Sequence, residues 1–192
     1  MSEHEPIPSD VFDPDAPREL REQILRYQMA AGLTDRERAR FFGLPAGCRM
    51  REGAKIICPE NLVCGQHVYI GEHALLDASG GLEIGDHTGI GTMVCLWTHS
   101  SHKAHRLGAN TPGSDQIERK PVRIGAGCMI AGPAAVLPGV TIGDRVLVTP
   151  MSLVHRDVPG GAVFSNVREL EGQVKDLQGQ IDELRRRLDG GE

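Results

Sequence analysis

Between Ile124 and Val154 the aliphatic residues Ile124, Ile130, Val136, Ile142, Val148 and Val154 recur every six positions without a slip. Two residues before each later anchor stands a small or medium side chain: Cys128, Ala134, Val140, Val146 and Ser152. Positions i and i−2 of a strand share a face, so each hexad offers two inward residues and then a corner. Neither the 3.6-residue period of an amphipathic helix nor simple hairpin alternation has this form. The pattern predicts a solenoid of short strands around a narrow core, each coil burying its apolar face only against its neighbours.

The same period runs upstream. Anchors at Cys58, Cys64, Ile70 and Leu76 carry Ile56, Leu62, Val68 and Ala74 as their i−2 partners. A two-residue slip follows at Ser79-Gly80-Gly81, where glycine allows a wider corner, and the register resumes at Ile84, Ile90 and Leu96. Counted together, thirteen anchors at three hexads per coil predict about four coils. Cys58, Cys64 and Cys128 fall at inward positions and read as core. From 100 to 121 the period is lost in a polar stretch holding Lys103, Arg106, Arg119 and Lys120. So long an interruption of a regular solenoid is expected to be a functional loop.

The flanks differ in character. Residues 1–16 are rich in Pro, Asp and Glu and read as a mobile leader. Residues 17–48 read as a helical cap with helices over 18–31 and 35–42, the second opened by a Thr34/Glu37 capping box. Such helices would cover one open end of the solenoid, assigned to 49–163, or serve as a simple packing arm. Over 164–192, Val167, Leu170, Val174, Leu177, Ile181, Leu184 and Leu188 alternate spacings of three and four. This heptad predicts a short coiled coil, the alternative being one helix lying on its own subunit.

Composition narrows the picture further. A net charge of −5 over 192 residues argues against a general nucleic-acid or membrane-surface binder, and no apolar run suggests membrane insertion. Aromatics at 4% beside 24 Gly and 12 Pro suit a narrow solenoid with frequent corners. Five cysteines without a CxxC pair imply a reduced, cytoplasmic protein.

The hexads, the excursion and the segment IGAGCMIAGPAAVLPGVTIGDRVLVTPMSLVHRDVP resemble the hexapeptide-repeat acyltransferases, in particular sugar O-acetyltransferases of the galactoside and maltose type. The resemblance covers about 49–159 and implies a left-handed parallel β-helix, an all-β solenoid, assembled as a homotrimer. It further implies transfer of an acetyl group from acetyl-CoA, as co-substrate, to a hydroxyl of a sugar or glycan, with no metal. The His of the Thr-His pair before the excursion is the family's general base and matches His99. The oxyanion donor, a backbone N–H, falls on Gly132. CoA contacts match Ala131, Gly132, Pro150, His155 and Arg156. Two departures stand out: Met129 replaces an aromatic, and Phe164-Ser165-Asn166-Val167-Arg168 replaces the closing G-x-P-A segment.

The chemistry agrees with these assignments. A sugar hydroxyl is a weak nucleophile near neutral pH, and a positioned imidazole can take its proton. Three residues past anchor Leu96, His99 should point outward. So should His67, His73 and His87, which read as corner residues because His tolerates left-handed backbone. Asp77 is placed to orient the acceptor or the imidazole, or to be a solvated corner carboxylate. Trp97 can stack on a sugar or pack against the excursion. Two other functions remain open on sequence: a non-catalytic assembly module, and a γ-class carbonic anhydrase-like enzyme holding zinc on histidines.

Overall fold

The structure is a computed structural model and describes residues 18–189 apart from 110, 112 and 113. The leader expected over 1–16 lies outside the described residues. Helix α1 (Arg18–Ala30) belongs to a unit ending at Leu33, separate from the unit that begins at Thr34.

Within the second unit, the short strands form three parallel sheets of six, five and four strands. The first face stacks Arg49–Met50, Tyr69–Ile70, Gly89–Ile90, Met129–Ile130, Leu147–Val148 and Val163–Phe164. Lys55–Ile57, Leu75–Asp77, Val94–Leu96, Ala134–Val136 and Leu153–Val154 form the second face. The third holds Leu62–Cys64, Leu82–Ile84, Val122–Ile124 and Thr141–Ile142, extended by a bridge from Ile142 to Val158. Six rungs on the first face correct the expected four coils, because the solenoid extends from Arg49 to Phe164, beyond the first and last anchors counted.

Registers reveal how the coils are sized. Met50 pairs with Ile70 and Ile70 with Ile90, twenty residues per coil. Later, Ile130 pairs with Val148 and Val136 with Val154, eighteen per coil. The two extra residues fall at the same corner in both early coils. In the second coil this is the slip at Ser79-Gly80; in the first it is the short 3-10 turn Pro59–Asn61. Cys58 is therefore not an inward anchor but a corner residue in left-handed backbone, φ 53°, and Ile56, 1% exposed, fills the core. His67, His73 and His87 take left-handed corners at φ 56°, 55° and 57°, with the rings of His67 and His87 stacked 4.8 Å apart.

The inward residues Ile70, Leu76, Leu82, Ile90, Leu96, Ile130, Val136 and Val148 are fully buried. Each such side chain stabilises the fold by about 1.5–3 kcal/mol. Helix α2 (Asp35–Phe41) closes the first coil. Its capping box forms as the spacing predicts, the Glu37 carboxylate accepting the Thr34 N–H at 2.8 Å. Arg38, buried, donates to the Met50 carbonyl at 2.8 Å.

At the other end the last coil leads into helix α4 (Asn166–Asp189), entered through the Ser165 carbonyl, which accepts the Glu169 N–H. Its heptad residues Val167, Leu170, Val174, Leu177, Ile181 and Leu184 are 44–64% exposed. They do not pack on the solenoid of their own chain. Among the described residues no helix is long and apolar enough to cross a membrane.

Candidate active site

The site grows out of the widened corner. In the second coil Leu75–Asp77 ends with Asp77, and one coil above Val94–Leu96 leads through Trp97 and Thr98 to His99. The two extra residues fold the Ser79-Gly80 turn back over this junction. Gly80 donates its N–H to Thr98 Oγ1 at 2.8 Å, and a Cβ on Gly80 would overlap the Thr98 carbonyl oxygen. Glycine is needed there for the close approach.

Asp77 is the hub. Its side chain is 0% exposed, which excludes the solvated corner carboxylate. Oδ2 accepts the Thr98 N–H at 2.8 Å, the Thr98 hydroxyl at 3.1 Å, the His99 N–H at 3.1 Å and His99 Nδ1 at 2.7 Å. Oδ1 accepts the Ser79 N–H at 3.0 Å. Burial pushes the Asp77 carboxyl up, but hydrogen bonds from the Ser79 side chain, the Thr98 and Ser79 N–H groups and His99 outweigh it and hold it at about 2. The group is thus ionised at neutral pH.

A carboxylate only accepts, so the proton at this contact sits on His99 Nδ1. That tautomer leaves Nε2 with a free lone pair. The His99 side chain is 28% exposed, enough for a substrate to reach it. Ser79 Oγ lies 3.2 Å from the same Nδ1. Trp97 stands edge-on to the imidazole, ring centroids 6.1 Å apart. Ser79 and Thr98 were not singled out as site residues on sequence. The slip and the Thr-His pair were visible, but their convergence on one carboxylate depends on stacking of adjacent coils.

The excursion is fastened at its base. His99–Ser100 pairs antiparallel with Glu118–Arg119, and the Lys120 N–H donates to the Thr98 carbonyl at 2.9 Å. Helix α3 (His102–Arg106) follows directly.

The other candidates lie elsewhere on the solenoid. Gly132 sits before Ala134–Val136, over Thr92; His99 comes after Val94–Leu96, which pairs with that strand. The two residues therefore occupy opposite edges of the second face. Gly132 is half-buried, and among the described residues nothing accepts its N–H. Ala131 donates to the Val148 carbonyl, bringing the Thr149-Pro150 corner over Ala131-Gly132. His155 and Arg156 are on the far edge, past Leu153–Val154. His155 Nδ1 lies 3.2 Å from the Leu153 carbonyl, and Arg156 is ion-paired with Glu169 of α4. The structure brings together His99, Asp77 and Trp97, and separately Ala131, Gly132 and Pro150.

A Cβ at Gly132 would overlap the Thr92 carbonyl oxygen. Gly132→Ala is expected to cost about 1–3 kcal/mol, the range for overpacking. A urea melt checks this; an unchanged midpoint would mean the corner yields freely.

These features define a parallel solenoid of hexapeptide coils with a carboxylate–imidazole pair at its one interrupted corner among the described residues. The solved structures sharing this fold include a hexapeptide-repeat containing acetyltransferase of Vibrio cholerae, at TM-score 0.66 and 23% identity, covering 77% of this chain and 88% of that one. A structure of that protein complexed with acetyl coenzyme A aligns at TM-score 0.55 and 25% identity, covering 79% and 86%. A galactoside acetyltransferase in complex with coenzyme A aligns at TM-score 0.63 and 22% identity, covering 80% of each chain. Among curated proteins, WcaF of Escherichia coli (strain K12), named as a colanic acid biosynthesis acetyltransferase, is 30% identical over 128 residues, 65% of each chain. Nodulation protein L of Rhizobium meliloti (strain 1021) is 38% identical over 104 residues, 53% of this chain and 54% of that one. The chain thus spans just under two thirds of the first relative and about half of the second. No family model matches. By repeat, fold and sequence the chain is similar to these hexapeptide-repeat acetyltransferases, and its fold is theirs.

Proposed function

We propose that the chain is an acetyl-CoA-dependent O-acetyltransferase acting on a hydroxyl of a sugar or glycan, with His99 as general base oriented by Asp77. The observation that carries this is the 2.7 Å contact between Asp77 Oδ2 and His99 Nδ1. It holds the tautomer in which Nε2 can accept the acceptor's hydroxyl proton as the oxygen attacks the thioester carbonyl. The resulting imidazolium, stabilised by the Asp77 carboxylate, returns that proton to the departing CoA thiolate. Positioned general-base catalysis of this kind contributes about 10²–10⁴ in rate. The Gly132 N–H suits the developing oxyanion, since a preorganised donor needs no reorganisation. The acetyl-CoA and CoA complexes of the Vibrio and galactoside enzymes support the donor, and WcaF's name supports a glycan acceptor.

His99 and Gly132 at opposite edges of one face favour a site completed by a second copy. We therefore read the assembly as a homotrimer with sites between subunits. The exposed α4 heptads support association in a coiled coil, their helices held at high effective concentration by the solenoids. Val and Ile at a with Leu at d would by themselves suit a parallel dimer. Light scattering of the full chain is expected to give three copies; two would contradict the assembly and the site built on it. In this reading Ala131, Pro150 and His155 line the CoA path, and Arg156 exchanges Glu169 for a CoA phosphate. Five free thiols support a reducing, cytoplasmic setting. Incubation with acetyl-CoA and a sugar panel, followed by mass spectrometry, should find an acetyl ester; an acetyl amide would move the acceptor to an amino sugar.

A further inference from the structure

The excursion returns to the solenoid with Arg119 directly opposite His99. The Lys120 N–H to Thr98 carbonyl bond flanks this pair, so Arg119 and His99 form the non-hydrogen-bonded kind, in which side chains stand closer. Directly opposed side chains leave the same face, with Cβ atoms about 4.5–5.5 Å apart. The Arg119 side chain therefore starts beside the imidazole.

Lys120 pairs with Glu118 at 3.6 Å, and on the solenoid Arg51 and Arg123 pair with Glu72 and Glu83. Arg119 is exposed, and among the described residues it has neither an ion-pair partner nor a side-chain hydrogen bond. Its charge acts on the same corner: at the Cys58 thiol, burial, Glu60 and Asp77 push the pKa up and Arg119 opposes them. Asp77 is already saturated with donors, and Glu60 makes no ion pair with Arg119. A guanidinium is weakly hydrated and presents a planar fork that matches a carboxylate or a phosphate.

We propose that Arg119 selects the acceptor by charge. The substrate is an anionic sugar, bearing a carboxylate or phosphate near the hydroxyl that meets His99. This rests on His99 being the general base, and it adds a specificity-determining residue and a substrate class. A neutral sugar leaves the guanidinium to water, whereas an anionic one gains a charge-assisted fork beside the reacting oxygen. Such a bond contributes about 1.5–3 kcal/mol, roughly a ten- to hundredfold preference.

The test compares methyl glycosides of glucose, galactose and mannose with their uronates and 6-phosphates, for wild type, Arg119→Gln and Arg36→Gln. Arg36, an exposed residue of α2, controls for net charge. Turnover is followed by thiol release, and binding of the same sugars by calorimetry, which reads the guanidinium contact even without turnover. Wild type is expected to favour at least one anionic series tenfold or more. Arg119→Gln should collapse that ratio through the acceptor KM, and Arg36→Gln should keep it. Uronate against phosphate preference identifies which anion is used. Equal affinity for charged and neutral sugars overturns the proposal, as does a collapse in Arg36→Gln or a rise in the acetyl-CoA KM of Arg119→Gln. If calorimetry shows the anionic preference but no sugar releases thiol, the proposed function fails while the Arg119 site stands.

Discussion

His99→Ala is expected to lower kcat by on the order of 10²–10⁴, the contribution of a positioned general base. The loss should fall on kcat rather than on acetyl-CoA binding, because the proposed role of the imidazole is to take the acceptor's hydroxyl proton and not to hold CoA. Calorimetric titration with CoA should give an affinity within about twofold of wild type, since His99 is not among the proposed CoA contacts and removing it leaves them in place. The fold should tolerate the change: the His99 side chain is 28% exposed, so its removal leaves no buried void. Asp77 would lose one donor yet keep the Thr98, Ser79 and His99 backbone bonds. A drop in activity with an unchanged melt would identify chemistry rather than folding.

Asp77→Asn should reduce both activity and stability. An amide cannot satisfy this site in either orientation. With its NH₂ at Oδ2 it would face the Thr98 and His99 donors; with its NH₂ at Oδ1 it would face the Ser79 N–H. Leaving such a buried donor unsatisfied costs about 1–3 kcal/mol. Loss of the carboxylate also frees the imidazole to adopt the other tautomer, so kcat is expected to fall by on the order of 10².

The same carboxylate sets a pH dependence. Its folded pKa of about 2 lies below the unfolded value of about 3.9. Between these values the unfolded chain binds more protons, so stability rises with pH. The contribution, about 2–3 kcal/mol, is fully present above roughly pH 5 and is lost as pH falls through about 2. Urea midpoints measured between pH 7 and pH 2 should show that slope in wild type and a shallower one in Asp77→Asn. Parallel slopes would mean that Asp77 is not the depressed group.

Much of this architecture is legible in the hexads alone. Ile124 to Val154 carry the period and fall on the core as expected, because inward burial dictates those positions one by one. The early coils are harder to read. The addition at Ser79-Gly80 shows as a slip, but Cys58 keeps the arithmetic of six, so the two residues added at the same corner of the first coil are exposed only by pairing between coils. The site shares this character. Asp77 lies 21 residues before Thr98 and 22 before His99, and nothing local distinguishes a corner carboxylate in water from one wrapped by the next coil. His99 could be found from its motif. Asp77 was a candidate for orienting it, but choosing that over a solvated carboxylate, and finding the Ser79 hydroxyl and Arg119 beside the imidazole, required the stacked coils.

The most direct measurement is release of CoA thiol from acetyl-CoA, with and without each sugar of the panel, for wild type beside His99→Ala. The interrupted corner as catalytic site predicts release only when a suitable acceptor is present, in step with sugar ester formed, and nearly absent in His99→Ala. Equal acceptor-dependent release by the two proteins would contradict that claim.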